Sequence, residues 1–414
     1  MCYSFFLHLL NLIISDSVEE LLDSIKKYSE SLFEQIRSFR QYLHANPELS
    51  FQEKQTSLFI AKTLRDNNIP VFEGIGGTGV IGIIEGQING KTIGIRAELD
   101  ALPIVENTSL DFLSKNDGVM HACGHDIHMA SLLGTAIIVN KLKSSLTGKI
   151  VLVFEPGEEQ IPGGAKQIID SNIFQQNIPD IMLTFHVLPE LISGKAGFRE
   201  GQYMASGDEV YIIVKGKGGH AALPKTTVNP IVIASNLILN LKEFIDKETP
   251  PAIPSILSFG KFQANGATNI IPNDVHIEGT FRTMDEDWRH KAHHLIEEIS
   301  KKTCIDLGGD CEIEIRKGYP SIYNNPELTR KAKILAEQYL NPSNVIDLER
   351  RMTTDDFAYF GQTIPSVFFR MGVGFENSCN FQLHSSTFIA NEEVLKYSSG
   401  LMAWISFNLP NKID

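Results

Sequence analysis

The chain has 414 residues, more than one ordinary domain holds, so two or three domains are expected. Hydrophobic residues make up 43% and charged residues 21%, as is typical of a soluble globular protein. The net charge of −13 excludes a nucleic-acid-binding protein, because phosphate recognition requires a basic surface. The five cysteines are odd in number and show no paired spacing, which favours a reducing, cytoplasmic location.

Residues 1–17 begin with an apolar run, MCYSFFLHLLNLII. The run has the length of a signal-peptide core, but no basic segment precedes it, His8 and Asn11 interrupt it, and no A-x-A cleavage site follows. We interpret it as a frayed or mis-started N-terminus, with a secretion signal as the alternative. It is too short to span a bilayer, and no other stretch approaches that length, so no membrane partner is expected.

Apolar strands alternate with helices in the first half of the chain. An amphipathic helical pattern begins near Val18 and continues to Pro47, and a strong helix is predicted over 126–143. The alternation predicts a parallel or mixed sheet covered by helices on both faces. Strands are predicted at 80–86, 92–99, 149–156 and 181–187. The polar residues at the ends of these strands, where open α/β sheets bind ligands, are Asp100, Glu158, Glu159 and His186.

The pattern changes between residues 208 and 319. Strands and helices are predicted there in the order β-α-β-β-α-β, which is the arrangement of a ferredoxin-like domain. The α/β pattern returns from residue 320. The sequence therefore predicts a catalytic domain split over 18–207 and 320–414, with a smaller domain inserted at 208–319.

The segment M-H-A-C-G-H-D has the composition of a metal site. Cys123 and His125 supply a thiolate and an imidazole, and Gly124 between them lets both side chains face one ion. Taken alone, the segment is equally consistent with a buried cysteine and histidines on one helix face. His121, His125 and His128 recur at helical spacing, which supports that alternative.

A second candidate segment is E-P-G-E-E, which follows a predicted strand. Of the adjacent carboxylates Glu158 and Glu159, one can bind a metal ion while the other acts as a base on metal-bound water. A charged loop around a Pro-Gly turn is the alternative. His186 and His384 could each be a polar cap, but together with the cysteine and the glutamates they favour one shared hydrolytic metal site.

Seven motifs occur along the chain in a characteristic order: R-A-E-L-D-A-L-P (96–103), H-A-C-G-H-D (121–126), E-P-G-E-E (155–159), G-K-G-G-H-A-A-x-P (216–224), N-x-I-P (269–272), G-T-F-R-T (279–283) and L-H-S (383–385). They resemble the N-acyl-amino-acid amidohydrolases, which include indole-acetyl-amino-acid hydrolases, hippurate hydrolases and N-acetyl-diaminopimelate deacetylases. These enzymes are a branch of the aminoacylase and carboxypeptidase-G clan of dinuclear metallopeptidases. The resemblance covers roughly residues 35 to 400.

The resemblance implies a two-domain α/β metallopeptidase fold that binds two divalent ions, Mn²⁺ above all, with Zn²⁺, Co²⁺ or Ni²⁺ as alternatives. Cys123 would bridge the ions, Glu158 would be the general base, and Asp100 would be a carboxylate behind the site. The implied metal ligands are Cys123, His125, Glu159, His186 and His384.

The resemblance also implies that the inserted domain forms a homodimer and that its His220 reaches the active site of the partner subunit. Asn269, Arg282 and Gly372 would contact the substrate. An arginine that leaves a strand can clamp a carboxylate through two hydrogen bonds, although a surface ion pair is the alternative for Arg282.

Three positions depart from the family pattern. Glu98 stands where Asp is usual, Glu155 opens E-P-G-E-E where Q-P-A-E-E is commoner, and Asp355 stands where Glu is usual. None of the changes removes an implied ligand or the base.

The expected reaction is hydrolysis of N-acetyl-, N-benzoyl- or indole-acetyl-amino acids to a carboxylic acid and a free amino acid. One alternative is a dipeptidase or aminopeptidase of the same clan, but no acidic residue is evident for a substrate α-amino group. The other is a catalytically silent metal-binding dimer, against which the intact Glu158 and Glu159 argue.

Overall fold

The computed structural model describes residues 18–376 and 381–410, so the apolar run at 1–17 lies outside the described residues. The chain divides into two compact units. Unit 1 comprises the described residues up to Gly201, Asn324–Glu349 and the described residues from Phe360 onward. Unit 2 comprises Gln202–Tyr323 and Arg350–Tyr359.

The secondary structure alternates between helices and strands along most of the chain. The helices are α1 (18–31), α2 (Phe33–Ala45), α3 (Lys54–Asp66), α4 (His125–Lys141), α5 (Ala165–Ile169), α6 (Asn172–Gln175), α7 (Pro230–Glu248), α8 (Glu286–Asp306), α9 (Pro326–Leu340), α10 (Ala358–Gly361) and α11 (Val394–Asn408). The strands are β1 (Val71–Ile75), β2 (Gly79–Glu85), β3 (Ile88–Glu98), β4 (Thr147–Glu155), β5 (Ile181–Ile192), β6 (Ala196–Phe198), β7 (Gly201–Met204), β8 (Asp208–Lys215), β9 (Gly219–His220), β10 (Ser255–Gln263), β11 (Ile270–Ile271), β12 (Asp274–Thr283), β13 (Asp310–Lys317), β14 (Ile322–Asn324), β15 (Val345–Asp347) and β16 (Ser366–Gly374).

Unit 1 is built on a sheet with the strand order β1-β2-β4-β3-β5-β16-β6-β15. Its centre is parallel, since β3 pairs in parallel with β4 and β5, and β5 with β16. β1, β2 and β4 pair antiparallel, so the sheet is mixed. Helix α4 packs against α2, α11 and β3, and it is buried from His125 to Val139, which explains its apolar residues on every side. The predicted mixed α/β fold is confirmed.

The helical pattern predicted from Val18 to Pro47 forms two helices in the structure. α1 ends at residue 31, α2 begins at Phe33, and Leu32 between them is a turn residue. The sequence does not mark α11, because a helix buried on nearly all sides lacks an amphipathic period.

The secondary structure predicted for two histidines, His186 and His121, was wrong. His186 does not end a strand but lies within β5, because β5 continues along β16 to Ile192. His121 precedes α4, which begins at His125, so the alternative of three histidines on one helix face is also wrong.

Unit 2 has an antiparallel sheet with the strand order β10-β12-β8-β13. Helices α7 and α8 pack against each other and onto this sheet. Along the chain the elements follow the order β8-α7-β10-β12-α8-β13, with the short strands β9 and β11 added between them. The apolar side chains of both helices and of the central strands form one core.

Within the described residues, no helix has the length and apolar character needed to cross a membrane. Cys123, Cys304 and Cys311 are free thiols. Cys2 and Cys379 lie outside the described residues.

Candidate metal centre

A glycine in the left-handed region places Cys123 and His125 side by side. Gly124 has φ of +81° and directly precedes α4, so His125 opens that helix. A Cβ at Gly124 would lie 2.6 Å from Cγ2 of Val187, so a side chain would be excluded by packing as well as by the backbone. Cys123, His125 and His186 each offer a ligand atom within 4.8 Å of the others.

The Cys123 thiol lies at the centre of the cluster. Its Sγ is 3.3 Å from Nε2 of His186 and 3.3 Å from Nε2 of His384. The same His384 nitrogen is 3.2 Å from Oε1 of Glu159. His384 has φ of +59°, and its main-chain N–H donates to the carbonyl of Ala122 at 2.9 Å. That hydrogen bond ties the loop of His384 to the H-A-C-G-H-D segment.

Main-chain carbonyls orient two of the imidazoles. Nδ1 of His125 donates to the carbonyl of Asp100 at 2.9 Å, and Nδ1 of His186 donates to the carbonyl of the next residue at 2.9 Å. With the proton on Nδ1, each Nε2 has a lone pair for a cation. Oδ2 of Asp100 accepts hydrogen bonds from Ser50 Oγ and from the N–H of Glu159, at 2.7 and 2.9 Å. Asp100 thus holds both an imidazole and the turn that carries the carboxylates.

Glu158 and Glu159 follow β4 and contact different neighbours. Oε2 of Glu158 lies 3.9 Å from Nε2 of His125, whereas Glu159 lies beside His384. Both carboxylates have an oxygen within 4.8 Å of His125 and of each other. This arrangement allows one carboxylate to bind a cation while the other receives a proton.

The cluster has the donor set and an unsatisfied atom that fit a divalent metal ion. Nε2 of His125 is buried and has no hydrogen-bond partner among the described residues. Burial and the carboxylates of Glu159 and Glu158 raise the pKa of the Cys123 thiol well above its usual range. Burial lowers the pKa of His125, but nearby carboxylates, Glu98 first, outweigh it and raise that pKa to about 10. The pocket therefore favours positive charge, and thiolate, imidazole and carboxylate ligands suit Zn²⁺, Co²⁺ or Mn²⁺.

Two of the glutamates that depart from the family pattern are neighbours in the sheet. Glu98 of β3 and Glu155 of β4 lie opposite each other in the parallel register. Arg96 forms ion pairs with both, contacting Glu98 through Nη1 and Glu155 Oε2 through Nε at 2.8 Å. Oε2 of Glu98 also lies 2.8 Å from Nδ1 of His128. Because buried carboxylates require compensation, the buried arginine accounts for both glutamates together.

The strands β9 and β11 form a short ribbon in unit 2, in which His220 ends β9 and Asn269 directly precedes β11. His220 pairs with Ile270, and its Nδ1 accepts the main-chain N–H of Ala222 at 3.1 Å. Nε2 is therefore the protonated nitrogen. Because both the His220 and Asn269 side chains are exposed, His220 presents this hydrogen-bond donor at the surface of unit 2.

Arg282 and Asp355 lie in unit 2, and Gly372 lies in unit 1. Nη1 of Arg282 donates to the main-chain carbonyl of Met352 at 2.7 Å, and no described carboxylate forms an ion pair with this side chain. Oδ1 of the buried Asp355 accepts a main-chain N–H two residues later at 2.9 Å. A Cβ at Gly372 would lie 2.1 Å from the carbonyl oxygen of Ile192, so strand packing alone requires glycine there.

A buried charged network at the start of α4 was not predicted from the sequence. Nδ1 of His44 lies 2.8 Å from Oδ2 of Asp126, and its Nε2 lies 3.1 Å from Oε1 of Glu106. Nε of Arg40 donates to the same Asp126 oxygen at 2.8 Å. The available signal was Asp126 itself, because an aspartate in the first turn of an apolar, buried helix needs a partner.

Comparison with known proteins identifies one family. The model of "Peptidase family M20/M25/M40" matches residues 94–401. Thermostable carboxypeptidase 1 of Saccharolobus solfataricus is 37% identical over 402 residues, which cover 96% of this chain and 100% of that protein. The N-acyl-L-amino acid amidohydrolase of Geobacillus stearothermophilus is 37% identical over 305 residues, covering 74% of this chain and 82% of that protein. The crystal structure of the Bacillus subtilis YXEP protein, described as a dinuclear metal binding peptidase from the M20 family, has 31% identity and a TM-score of 0.81, covering 92% of this chain and 99% of that one.

Proposed function

The chain belongs to peptidase family M20/M25/M40, and we propose that it is a metal-dependent amidohydrolase that cleaves N-acyl-amino acids to a carboxylic acid and a free amino acid. The position of Cys123 carries the proposal, because its Sγ lies 3.3 Å from Nε2 of both His186 and His384. The thiol and the two imidazoles can bind a metal ion, and of the two neighbouring carboxylates one can bind metal while the other acts as a base. That combination argues against a catalytically silent metal-binding protein.

We propose that this centre would hold two divalent ions, with Cys123 among the ligands and Mn²⁺ as the preferred ion over Zn²⁺, Co²⁺ and Ni²⁺. Bound there, they would supply Lewis acidity and lower the pKa of water. The description of the YXEP protein as dinuclear supports the stoichiometry. The proposed ligands are Cys123, His125, Glu159, His186 and His384.

Glu158 is the proposed general base. Its Oε2 lies 3.9 Å from Nε2 of His125, which places the carboxylate beside a proposed metal ligand. There it would take a proton from the water that attacks the amide carbonyl. Glu158 then returns that proton to the amide nitrogen as the C–N bond breaks. His220 would donate its Nε2–H to the oxyanion of the tetrahedral intermediate. Asn269 and Arg282 would bind the α-carboxylate of the amino acid, with Gly372 lining the pocket.

Carboxypeptidase activity is a second candidate function, because the match to Thermostable carboxypeptidase 1 covers 96% of this chain. Both reactions break an amide whose nitrogen belongs to an amino acid with a free carboxylate, so the same ligands and base would serve either. They differ only in the acyl side, which is a single acyl group in one case and a peptide in the other.

We also propose a homodimer through unit 2. β10 is an edge strand of its sheet, and apolar side chains are exposed on β10 and on α7. A second copy of this chain would remove them from water, and His220 would then act in the partner's site. The exposed residues are Val232, Leu239, Ile256 and Phe262.

The test is release of free amino acid, detected with ninhydrin, from N-acetyl- and N-benzoyl-amino acids and from N-acetylated peptides, with and without Mn²⁺. The proposal expects Mn²⁺-dependent release from the simple acyl-amino acids. Release from the peptides alone would favour the carboxypeptidase. No release from any substrate with metal bound would overturn the proposal.

A further inference from the structure

The segment at residues 50–53 packs against the turn that carries the proposed base. This segment precedes α3 and lies about 100 residues before the turn in sequence. Oγ of Ser50 donates to Asp100, the residue that also accepts the N–H of Glu159. The ring of Phe51 lies against Gly157, where an added Cβ would be only 2.4 Å from its Cζ.

Both segments have a positive φ angle at this contact. Gly157 has φ of +68°, and Phe51, which is not a glycine, has φ of +62°. A bulky residue in the left-handed region is unfavourable and persists only where the surroundings enforce it. The close approach of the two segments is therefore specified on both sides.

Glu53 makes the polar part of the contact. Its Oε1 accepts a hydrogen bond from the main-chain N–H of Gly157 at 2.8 Å. Its Oε2 accepts a hydrogen bond from the hydroxyl of Thr78 at 2.5 Å. The side chain is 0% exposed. The Gly157 N–H belongs to the Pro156–Gly157 peptide, so the hydrogen bond fixes the backbone one residue before the proposed base Glu158. A buried N–H that lost this acceptor would have no water to replace it.

We propose that Glu53 is a positioning residue that holds the Gly157 peptide and thereby sets the position of Glu158. The inference rests on the proposed function only for its effect on catalysis, since the hydrogen bond to Gly157 can be tested by itself. Glu48 provides a matched control. Its carboxylate accepts hydrogen bonds from the main-chain N–H groups of Gln55 and Thr56 at the start of α3. Among the described residues, it forms no hydrogen bond with the turn at 155–159.

The first measurement is amide hydrogen exchange in the metal-loaded protein. Glu53→Ala should accelerate exchange in a peptide that spans residues 155–159, whereas Glu48→Ala should not. Glu53→Gln should stay close to wild type, because its side-chain oxygen can still accept the Gly157 N–H. Unchanged exchange in Glu53→Ala would overturn the positioning role, whatever the enzyme's activity.

The second measurement is a double-mutant cycle with Glu158→Gln. Glu53→Ala should lower kcat by about 10–100-fold with KM and metal content nearly unchanged, since a small displacement of a catalytic group has costs of that order. In the Glu158→Gln background the same change should cost less than about threefold, because the group it positions is gone. Equal losses in both backgrounds, or loss of metal, would overturn the inference. If exchange accelerates as expected but the wild-type enzyme cleaves no acyl-amino acid, the proposed function fails and the positioning of Gly157 stands.

Discussion

Nδ1 of His125 faces two oxygens of Asp100, the main-chain carbonyl at 2.9 Å and Oδ1 at 3.3 Å. The contact fixes the proton on Nδ1 and leaves Nε2 directed to the cluster. Burial raises the pKa of Asp100, but the hydrogen bond to His125 and its charge outweigh burial and lower that pKa. Asp100 is therefore ionised in the described site, and its proposed role is to orient His125, a proposed metal ligand.

Asp100→Ala should weaken metal binding by about 10–100-fold, the usual effect of losing such an outer partner. The main-chain carbonyl of residue 100 remains, so binding should be weakened and not abolished. Titration with Mn²⁺ followed by calorimetry measures the change. The exposed Asp111 offers the same substitution at the surface as a control, and equal affinities for the two variants would show that the carboxylate does not support His125.

Glu158→Gln and Glu159→Gln should give opposite phenotypes. The first should lower kcat by about two to four orders of magnitude with metal content nearly intact, because it removes general-base assistance. The second should lose metal, because it removes a ligand beside His384. Metal analysis and steady-state kinetics on both proteins decide between them. Exchanged phenotypes would reverse the assignment of base and ligand.

His220→Ala should lower kcat by about 10²–10³ while the protein folds and binds metal normally, because one oxyanion donor is lost. Mixing it with Glu158→Gln under subunit exchange tests whether His220 acts in the partner's site. Half the dimers would be mixed, each with one intact site of two, so about a quarter of wild-type activity should return. Confirmed exchange without recovery would place His220 outside the partner's active site.

The motifs of the chain name residues that the structure brings close together, because metal chemistry needs residue types that occur together at few places in a sequence. Cys123 and His125 come from one motif, and the carboxylates follow a strand that the apolar pattern marks. Their distances depend on features that no motif gives. His384 lies 261 positions after Cys123, and it contacts Cys123 from a left-handed backbone conformation.

The supporting residues could not be predicted, because each is defined by a partner distant in sequence. Glu98 and Glu155 are explained only by the β3–β4 register, which places them opposite each other beside Arg96. From the sequence alone, Glu53 is a charged residue at the start of a helix, and His44 is a polar residue on an amphipathic helix. Their roles follow from burial, which tertiary packing alone determines.

The buried His44 should make stability depend on pH. Burial lowers its pKa, but hydrogen bonds to Asp126 and Glu106 outweigh burial and raise that pKa above its ordinary value of 6.5. A raised pKa means that the protonated imidazole stabilises the fold below about pH 6.5, and that this contribution is lost as pH rises through the folded-state pKa.

The comparison is between wild type and His44→Gln in thermal or denaturant unfolding at saturating metal. Removing one member of this buried charged network should cost about 3–5 kcal/mol at pH 6. The difference between the two proteins should shrink as the pH is raised toward 9. A difference that is constant with pH would mean that His44 is neutral in the folded protein.

Metal removal tests the central claim most directly. The purified protein is treated with a chelator, assayed on N-acyl-amino acids, and then titrated with Mn²⁺, Co²⁺ or Zn²⁺ while bound metal is counted per chain. We expect activity to disappear with the metal and to return as the sites fill, up to two ions per chain, because the bound metal would supply the Lewis acid for the hydrolysis. Full activity in a preparation shown to contain no metal would contradict the account.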